Sequence, residues 1–568
     1  MLKTCSAHFK KMIVLYVLMG SVVQFLNSYG IKLFQEILDQ AVYTRNFNEI
    51  IAPIILYGAL LAAATLLHYL IEYPQTHLST GILEKLKIMA LTKVSKIDYA
   101  SYQNFGTGET IKMIDNGAEA GMNIIHSFYL KIFHELLPTI IFSLFFISLY
   151  NMKMMAIIAI GYILLFLFNH ILLRMLYRIK SSLLERQETM SRFSIRGFME
   201  LVVFRLNKRY KQEIERLNRT AQDIVTKSTH IQMIHEAFFA LFALFVNIIK
   251  VFVLIYGIQD VIAGKSTIGV VIAVLLFIDQ VYTPIAIFNV LFVDYKLNRV
   301  TYARMERFLQ APEDRNLDQG IELNGFKGNI DFYQVQFDYD TTSILNNVTF
   351  SIKQGETVAI IGLSGSGKST LVKLMLGLLK KKSGQILIDD VDIDRIKLNH
   401  LYDHVSYISQ ESPIFDATIR ENIDLGHRLT DEQIIAILET VHLKKKVLRL
   451  PEQLDTRVGE RGMKLSGGER QRLAFARMFA QQRELVILDE PVSALDHITE
   501  NSIMEHLIKV CRDKTIIVVA HRLGTIKDAD RILLMKNGSL VDEGCFEELL
   551  KRSEYFKQLW EKERNRAS

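Results

Sequence analysis

Cysteine is scarce: the 568 residues hold three, Cys5, Cys511 and Cys545, scattered without metal-binding spacing or even pairing. That argues against a disulfide-stapled fold and a cysteine-held metal, and for a reducing compartment. Internal repeats and low-complexity tracts are missing, which sets aside solenoids and other repeat arrays. The excess of positive charge is modest, +6 overall. It calls for no nucleic-acid partner, because a positive-inside membrane protein is expected to be basic. The two long stretches 74–124 and 174–236 hold one proline between them, and the second has a single glycine, so both read as helix more than as loop.

What the chain has in excess is apolar sequence. Hydrophobic residues make up 50% and the mean hydropathy is +0.18, high for a soluble protein. They gather in the first part of the chain as runs long enough for a bilayer, which takes about 20 residues each. Six spans are expected, at Ile13–Leu38, Ile50–Ile71, Lys131–Tyr150, Met154–Leu173, Ala237–Ile258 and Ile268–Val293. The first follows a short basic leader with no small-residue cleavage site, so it reads as a retained span and not as a signal peptide.

Loop charge orients the spans. The loop Pro74–Ile124 carries 5 Lys/Arg and Arg174–Glu236 carries 13, whereas the opposite loops hold only Arg45, Lys153 and Lys265. Both long loops and both termini are therefore expected in the cytoplasm. These loops exceed simple connectors, so the membrane helices are expected to continue far beyond the bilayer. Within the membrane, Lys250 and Asp279 fall at similar depth on spans five and six, just before Pro284. Charges there are costly and usually face a cavity or each other. The expectation is an ion pair lining a path between the helices, the alternative a snorkelling Lys250 and an Asp279 in a wet cavity.

The polar stretch Ala311–Gly320, "APEDRNLDQG", marks a change of character. Beyond it apolar runs shorten to strand length and alternate with helical patterns, as in an α/β domain. The expected domains are 1–315, an all-α six-helix transmembrane domain with long cytoplasmic helical extensions, and 316–568, an α/β domain.

"TVAIIGLSGSGKSTLVKLMLGLL" sets the strand Thr357–Ile361 before the loop Gly362, Leu363, Ser364, Gly365, Ser366, Gly367, Lys368, Ser369, Thr370 and a helix after it. That context makes a G-x4-GK[ST] match credible. Backbone N–H groups of such a loop close around a phosphate, Lys368 neutralises its oxygens, and Ser369 offers a hydroxyl to Mg²⁺. The buried strand of "ELVILDEP" ends in Asp489, able to hold the metal through water, and Glu490, able to polarise the attacking water. A strand ending in Asp-Glu is also a common solvated edge. "TIIVVAHRL" ends another strand at His521, able to contact a γ-phosphate, though a lone histidine there is more often structural. "KLSGGERQRLAFAR", Lys464–Arg477, opens a helix with adjacent glycines and forms a second anion receptor.

Together these residues resemble the ATP-binding cassette (ABC) transporters, specifically exporter-type half-transporters with six membrane helices fused to one cassette. The resemblance rests on Tyr339 in "FDYD", the phosphate loop, Gln410 in "YISQESPIF", "TRVGERG" at Thr456–Gly462, "LSGGERQR", the acidic strand, "SALD" at Ser493–Asp496, and His521. It implies ATP and Mg²⁺, with Tyr339 stacking on adenine, Gln410 joining Ser369 at the metal, and Ser466, Gly467 and Gly468 on the γ-phosphate. It puts Asp496 at the nucleotide, and Glu490, His521 and Gln410 in catalysis. The sequence departs from the pattern at Glu469, where glutamine is frequent, and at Val492, where threonine is frequent.

"YASYQNFGTGETIKMIDNG", Tyr99–Gly117, resembles the exporter stretch that leads to a coupling helix, expected near Asp115–Asn123, with a second around Phe198–Asn207. The resemblance further implies a second chain, a homodimer first and a heterodimer as the other reading. Its sites pair the phosphate loop of one cassette with the signature of the other. The expected activity is ATP-driven export of a drug, lipid or peptide from a bacterial plasma membrane, the alternative an exporter-shaped importer of a siderophore or vitamin.

Overall fold

The computed structural model describes residues 2–567 apart from 44–46, 104, 106, 166, 168–181, 183–189, 191–204, 340, 411–412, 492–496 and 521–525. The chain divides into two compact units, Met1–Ser95 with Phe105–Ala311, and Lys96–Asn104 with Pro312–Ser568.

The first half of the chain is helical. In order come α1 (Lys10–Tyr43), α2 (Phe47–Val94), α3 (Tyr99–Gln103, in the second unit), α4 (Thr107–Met122), α5 (Leu137–Tyr150), α6 (Met152–Leu165), α7 (Tyr210–Ile262) and α8 (Ile268–Leu309). Two π-helical stretches, Asn123–Leu130 and Ile132–Leu136, carry α4 into α5. Among the described residues five helices are long and apolar enough to cross a membrane, Thr110–Tyr150 counting as one. The fourth expected span, Met154–Leu173, opens as α6 and then passes outside the described residues. With 48 residues in α2 and 53 in α7, these helices run about 72 and 80 Å against an apolar bilayer core of about 30 Å. The extensions expected from loop length are present.

The last helix forms the centre of this unit. Phe277, Ile278, Val281 and Tyr282 of α8 are fully buried among Phe146, Ile147, Met154 and Ile158. The Tyr282 hydroxyl donates to Ile158 O at 2.9 Å, and Ser28 and Ser143 both donate to the side-chain carbonyl of Gln280, at 3.3 and 3.0 Å. At its start, Asp39 of α1 accepts from the Thr267 hydroxyl at 2.7 Å and from Gly269 N at 3.0 Å. The expected membrane ion pair is formed: Lys250 Nζ lies 2.6 Å from Asp279 Oδ1.

One expectation needs correction. Asp115–Asn123 is not a separate coupling helix but the end of α4 and the first residue beyond it, packed inside the first unit. The cause is a pair of glycines one turn apart. A Cβ on Gly117 would come within 2.4 Å of Met305, and one on Gly121 within 2.7 Å of Leu86, so α4 lies against α8 and α2 at backbone distance. The part of this loop built into the second unit is Lys96–Asn104. Asp98 N donates to Pro312 O, Asp314 N to Lys96 O, and Tyr99 packs on that unit's core beneath Lys373, whose ammonium sits 5.6 Å from the ring. The second expected coupling region, Phe198–Asn207, lies almost wholly outside the described residues.

The second unit is the α/β domain. Strands β1 (Ile330–Tyr339), β2 (Thr342–Ile352), β4 (Ser383–Ile388) and β5 (Val391–Asp392) form an antiparallel sheet ordered β2-β1-β4-β5. Strands β3 (Thr357–Gly362), β6 (Val405–Ile408), β7 (Leu485–Asp489), β8 (Thr515–Val519), β9 (Arg531–Lys536) and β10 (Ser539–Gly544) form a sheet ordered β10-β9-β3-β8-β7-β6, parallel except for β10. Both faces of its central strands are buried, as continuous apolar runs require. Val358, Leu485 and Val519 join one core cluster; Ala359, Val486 and Val518 join another on the opposite face.

Candidate functional site

The phosphate loop is shaped by its glycines. β3 ends at Gly362 and α9 (Lys368–Met375) begins six residues later. Gly365 (φ +80°) and Gly367 (φ +98°) hold left-handed conformations that a side chain would strain. A Cβ on Gly362 would meet Met535 O at 2.3 Å, so the loop also lies tight on β9. The Lys368 ammonium is buried and donates to Gly362 O at 3.0 Å and Leu363 O at 3.1 Å. Burial lowers its pKa, and the nearby Glu490 and Asp489 carboxylates pull the other way. Leu363 and Ser364 are exposed at the tip, while Thr370 is buried in the first turn of α9. The Ser366 hydroxyl is buried without a hydrogen-bond partner. A ring of left-handed glycines, a retracted ammonium and an orphaned hydroxyl fit a loop that closes on a phosphate.

Across β8 from this loop stand the carboxylates. Asp489 is buried at the end of β7, and its Oδ1 accepts from Ser369 Oγ at 3.4 Å. Burial first, and then Glu490 beside it, raise its pKa. Glu490 follows in a left-handed conformation, φ +50°, fixed by its amide donating to Val519 O at 3.0 Å. A bulky residue held there is strained, as functional positions often are. Gln410, just beyond β6, donates from Nε2 to Glu490 Oε2 at 2.9 Å. Lys368, Ser369, Gln410, Asp489 and Glu490 thus meet at the carboxyl edge of the parallel sheet, where ligands of open α/β folds bind. The β1–β2 hairpin with Tyr339 leans on the loop through Leu345 and Ile344 beside Gly367, and Tyr339 itself is exposed. His521 and Asp496 lie outside the described residues.

Among the described residues no group of three or more His, Cys, Asp or Glu could hold a metal by itself. The Ser369 hydroxyl, the Gln410 side chain and Asp489 are oxygen donors of the type a hard cation such as Mg²⁺ takes when phosphate and water complete its shell.

The signature is built elsewhere. Ser466 caps α10 (Gly467–Gln481): its Oγ accepts from Glu469 N, and Glu469 Oε2 accepts in return from Ser466 N at 2.9 Å. Glu469, a departure from the family pattern, thus completes a capping box, which the S-x-x-E spacing could have announced. Lys446 adds an ion pair at 2.6 Å. Burial would raise the Glu469 pKa, but Lys446 and the Ser466 amide outweigh it and hold it low. Gly467 and Gly468 start the helix and leave its first amides clear of side chains. α10 packs through Leu473 and Phe475 into the Val486 face of the sheet, whereas α9 packs through Leu371 and Leu374 into the Val358 face. The phosphate loop and the signature expected from the sequence are therefore built against opposite faces of one sheet.

Sequence reasoning missed Arg477. From the signature helix its guanidinium donates to Asn422 O at 3.0 Å, Asn422 Oδ1 at 3.1 Å and Pro413 O at 3.0 Å, and it lies 5.0 Å from the Phe415 ring centre. Asn422, fully buried, donates to Phe415 O and Thr418 O at 3.0 Å each. The loop just after Gln410 is clamped to the signature helix. The arginine was visible in the sequence; its partners, far along the chain, were not.

Comparison with known proteins places both halves. The ABC transporter family model matches residues 345–493, and the ABC transporter transmembrane region model matches residues 13–285. A relative in Bacillus subtilis (strain 168), "Putative multidrug export ATP-binding/permease protein YgaD", is 29% identical over 520 residues, 89% of this chain and 88% of its own length. "Leukotoxin export ATP-binding protein LtxB" of Aggregatibacter actinomycetemcomitans is 37% identical over 298 residues, 52% of this chain and 42% of its own length. A solved structure, a bacterial Atm1-family ABC exporter with ATP bound, superposes with a TM-score of 0.83 at 22% identity and covers 98% of each chain.

Proposed function

The chain belongs to the ABC transporters, a membrane-spanning region and an ATP-binding cassette fused in one polypeptide, and from that premise we propose an exporter half-transporter whose two ATP sites form between the cassettes of a homodimer. ATP hydrolysis coupled to transport is the activity of this family. Relatives named for multidrug and leukotoxin export favour export over import. One observation carries the proposal: Lys368, Ser369, Gln410, Asp489 and Glu490 converge on one edge, while the capped signature glycines stand on the other face of the sheet. A chain with both cradles turned apart completes each site with a second copy.

In this reading Lys368 leaves the carbonyls of Gly362 and Leu363 for the β- and γ-phosphate oxygens. Ser466 and the first amides of α10 from the other chain close over the γ-phosphate. Glu490 orients and polarises the attacking water, released from Gln410 as that residue turns to the nucleotide. Mg²⁺ held by Ser369 and Gln410, with Asp489 behind, would neutralise charge on the transferred phosphate. His521 is assigned to the γ-phosphate, Tyr339 to adenine and Asp496 to the nucleotide. The transmembrane domain is set at 1–315 and the cassette at 316–568. The lysine- and arginine-rich loops put the cassette and both termini on the cytoplasmic side of a bacterial plasma membrane.

The test is ATP-dependent movement of a compound panel in inside-out and right-side-out vesicles. Uptake into inside-out vesicles alone is expected; uptake only into right-side-out vesicles supplied with internal ATP overturns the direction.

A further inference from the structure

The Lys250–Asp279 pair sits deep in the membrane region. It lies 12 residues before the end of α7 and 11 after the start of α8, about 18 and 16 Å from the turn joining them. That is roughly the middle of an apolar core of about 30 Å. Both side chains keep part of their surface open, 30% for Lys250 and 57% for Asp279. The polar face extends beyond them. Asn247, a turn earlier on α7, is exposed, and so is Thr283, a turn later on α8, whose hydroxyl donates to Asp279 O at 2.7 Å. Around it Leu276, Val251 and Leu254 expose apolar surface. Charges at this depth are not left against hydrocarbon, so this face bounds the wet path.

We infer that this face is the substrate site and that its substrate is a zwitterionic amphiphile, with its cation on Asp279, its anion on Lys250 and its apolar body on the surrounding side chains. The inference rests on the export reading above and deepens it. The argument is charge balance. Opening the pair for a singly charged ligand leaves one protein charge without its partner halfway through an apolar core of about 30 Å, where even a wet path solvates it less well than bulk water. A neutral ligand gains nothing from opening it. A ligand with both charges replaces the internal pair by two external ones, and no charge is stranded.

Full-length protein in phosphatidylglycerol nanodiscs tests this with four peptides of one apolar body: trileucine with free ends, its C-terminal amide, its N-acetyl form and the doubly capped form. The free peptide is expected to half-maximally stimulate ATP hydrolysis at about a tenfold lower concentration than the others. Lys250→Gln should shift the preference to the amide, a cation, and Asp279→Asn to the N-acetyl anion. The exchange Lys250→Asp with Asp279→Lys should restore the zwitterion, a result that loss of packing cannot produce. Adding phosphatidylethanolamine separates the sources: stimulation by the lipid alone, lost in both single variants, assigns the site to a lipid headgroup, and stimulation by trileucine assigns it to a soluble amphiphile. Equal response to all four peptides, preferences unmoved by the variants, or no response to peptide and lipid in a chain that hydrolyses ATP overturns the inference and leaves the transporter standing. A wild-type chain that hydrolyses no ATP overturns the transporter reading, and the inference with it.

Discussion

Replacing Arg477 by methionine keeps an apolar stem and removes three hydrogen bonds from a charged donor, to Asn422 O, Asn422 Oδ1 and Pro413 O, together with the contact over Phe415. Hydrogen bonds involving a charged partner are each worth about 1.5–3 kcal/mol and do not add fully. The loop that follows Gln410 is then loosened by roughly 3–5 kcal/mol in total. If about 2 kcal/mol of that reaches the Gln410–Glu490 contact in the reacting state, turnover falls about 30-fold. ATP affinity should change less than about threefold, because the phosphate loop is held by the other face of the sheet. Steady-state ATP hydrolysis and fluorescent-nucleotide binding on reconstituted protein separate the two quantities. A cycle with Gln410→Ala measures the linkage itself. If the two substitutions add within about 0.5 kcal/mol, the clamp does not act through Gln410 and the reasoning fails.

Three further outcomes follow from the same geometry. Glu490→Gln keeps the Gln410 neighbourhood and ATP binding but lowers turnover at least about 100-fold, whereas Lys368→Ala weakens nucleotide binding itself; nucleotide trapping and binding isotherms tell them apart. Asp489 has its pKa raised by burial and by Glu490, so its ionised form destabilises the nucleotide-free cassette above that pKa and has no such effect once protonated. Asp489→Asn should therefore raise the thermal midpoint of nucleotide-free protein at pH 8, and the gain should shrink as the pH falls toward the ordinary carboxylate range; a gain that grows on acidification contradicts the sign. Gly269→Ala puts a Cβ 2.5 Å from Asp39 Oδ1 and should cost about 1–3 kcal/mol in the membrane region, read as a lower melting temperature in detergent.

Much of the cluster of Lys368, Ser369, Asp489 and Glu490 was legible because its parts are local. A strand, a glycine turn and a helix in succession are a short-range pattern, and the apolar run before Asp489 announces a buried strand directly. The Lys250–Asp279 pair was legible for another reason: helix rise converts residue number into depth, so two spans could be compared without a fold. What stayed hidden depends on packing. The loop residues Asp115–Asn123 look like a polar helix free to dock elsewhere, yet Gly117 and Gly121 seat them against Met305 and Leu86, partners the pattern does not reveal. Glu469 looked like a departure until its bonds to Ser466 and Lys446 gave it a structural task. Arg477 ends the signature stretch, yet the pattern gives it no task, since its meaning lies in carbonyls of Pro413 and Asn422 that only tertiary structure brings to it.

The shared ATP site is tested most directly with two-tag purified mixed dimers of Lys368→Ala, which disables the phosphate loop, and Ser466→Arg, which places a bulky charge on the signature. Nucleotide trapped after a single turnover is the readout, since continuous turnover can require both sites. If each site joins the loop of one chain to the signature of the other, a dimer of one Lys368→Ala chain and one Ser466→Arg chain concentrates both defects in one site and traps nucleotide in the other. A dimer of wild type with the double variant then has a defect in each site and traps none. Trapping in the wild-type and double-variant dimer, with none in the mixture of single variants, would show that each chain completes its own site and would contradict the account.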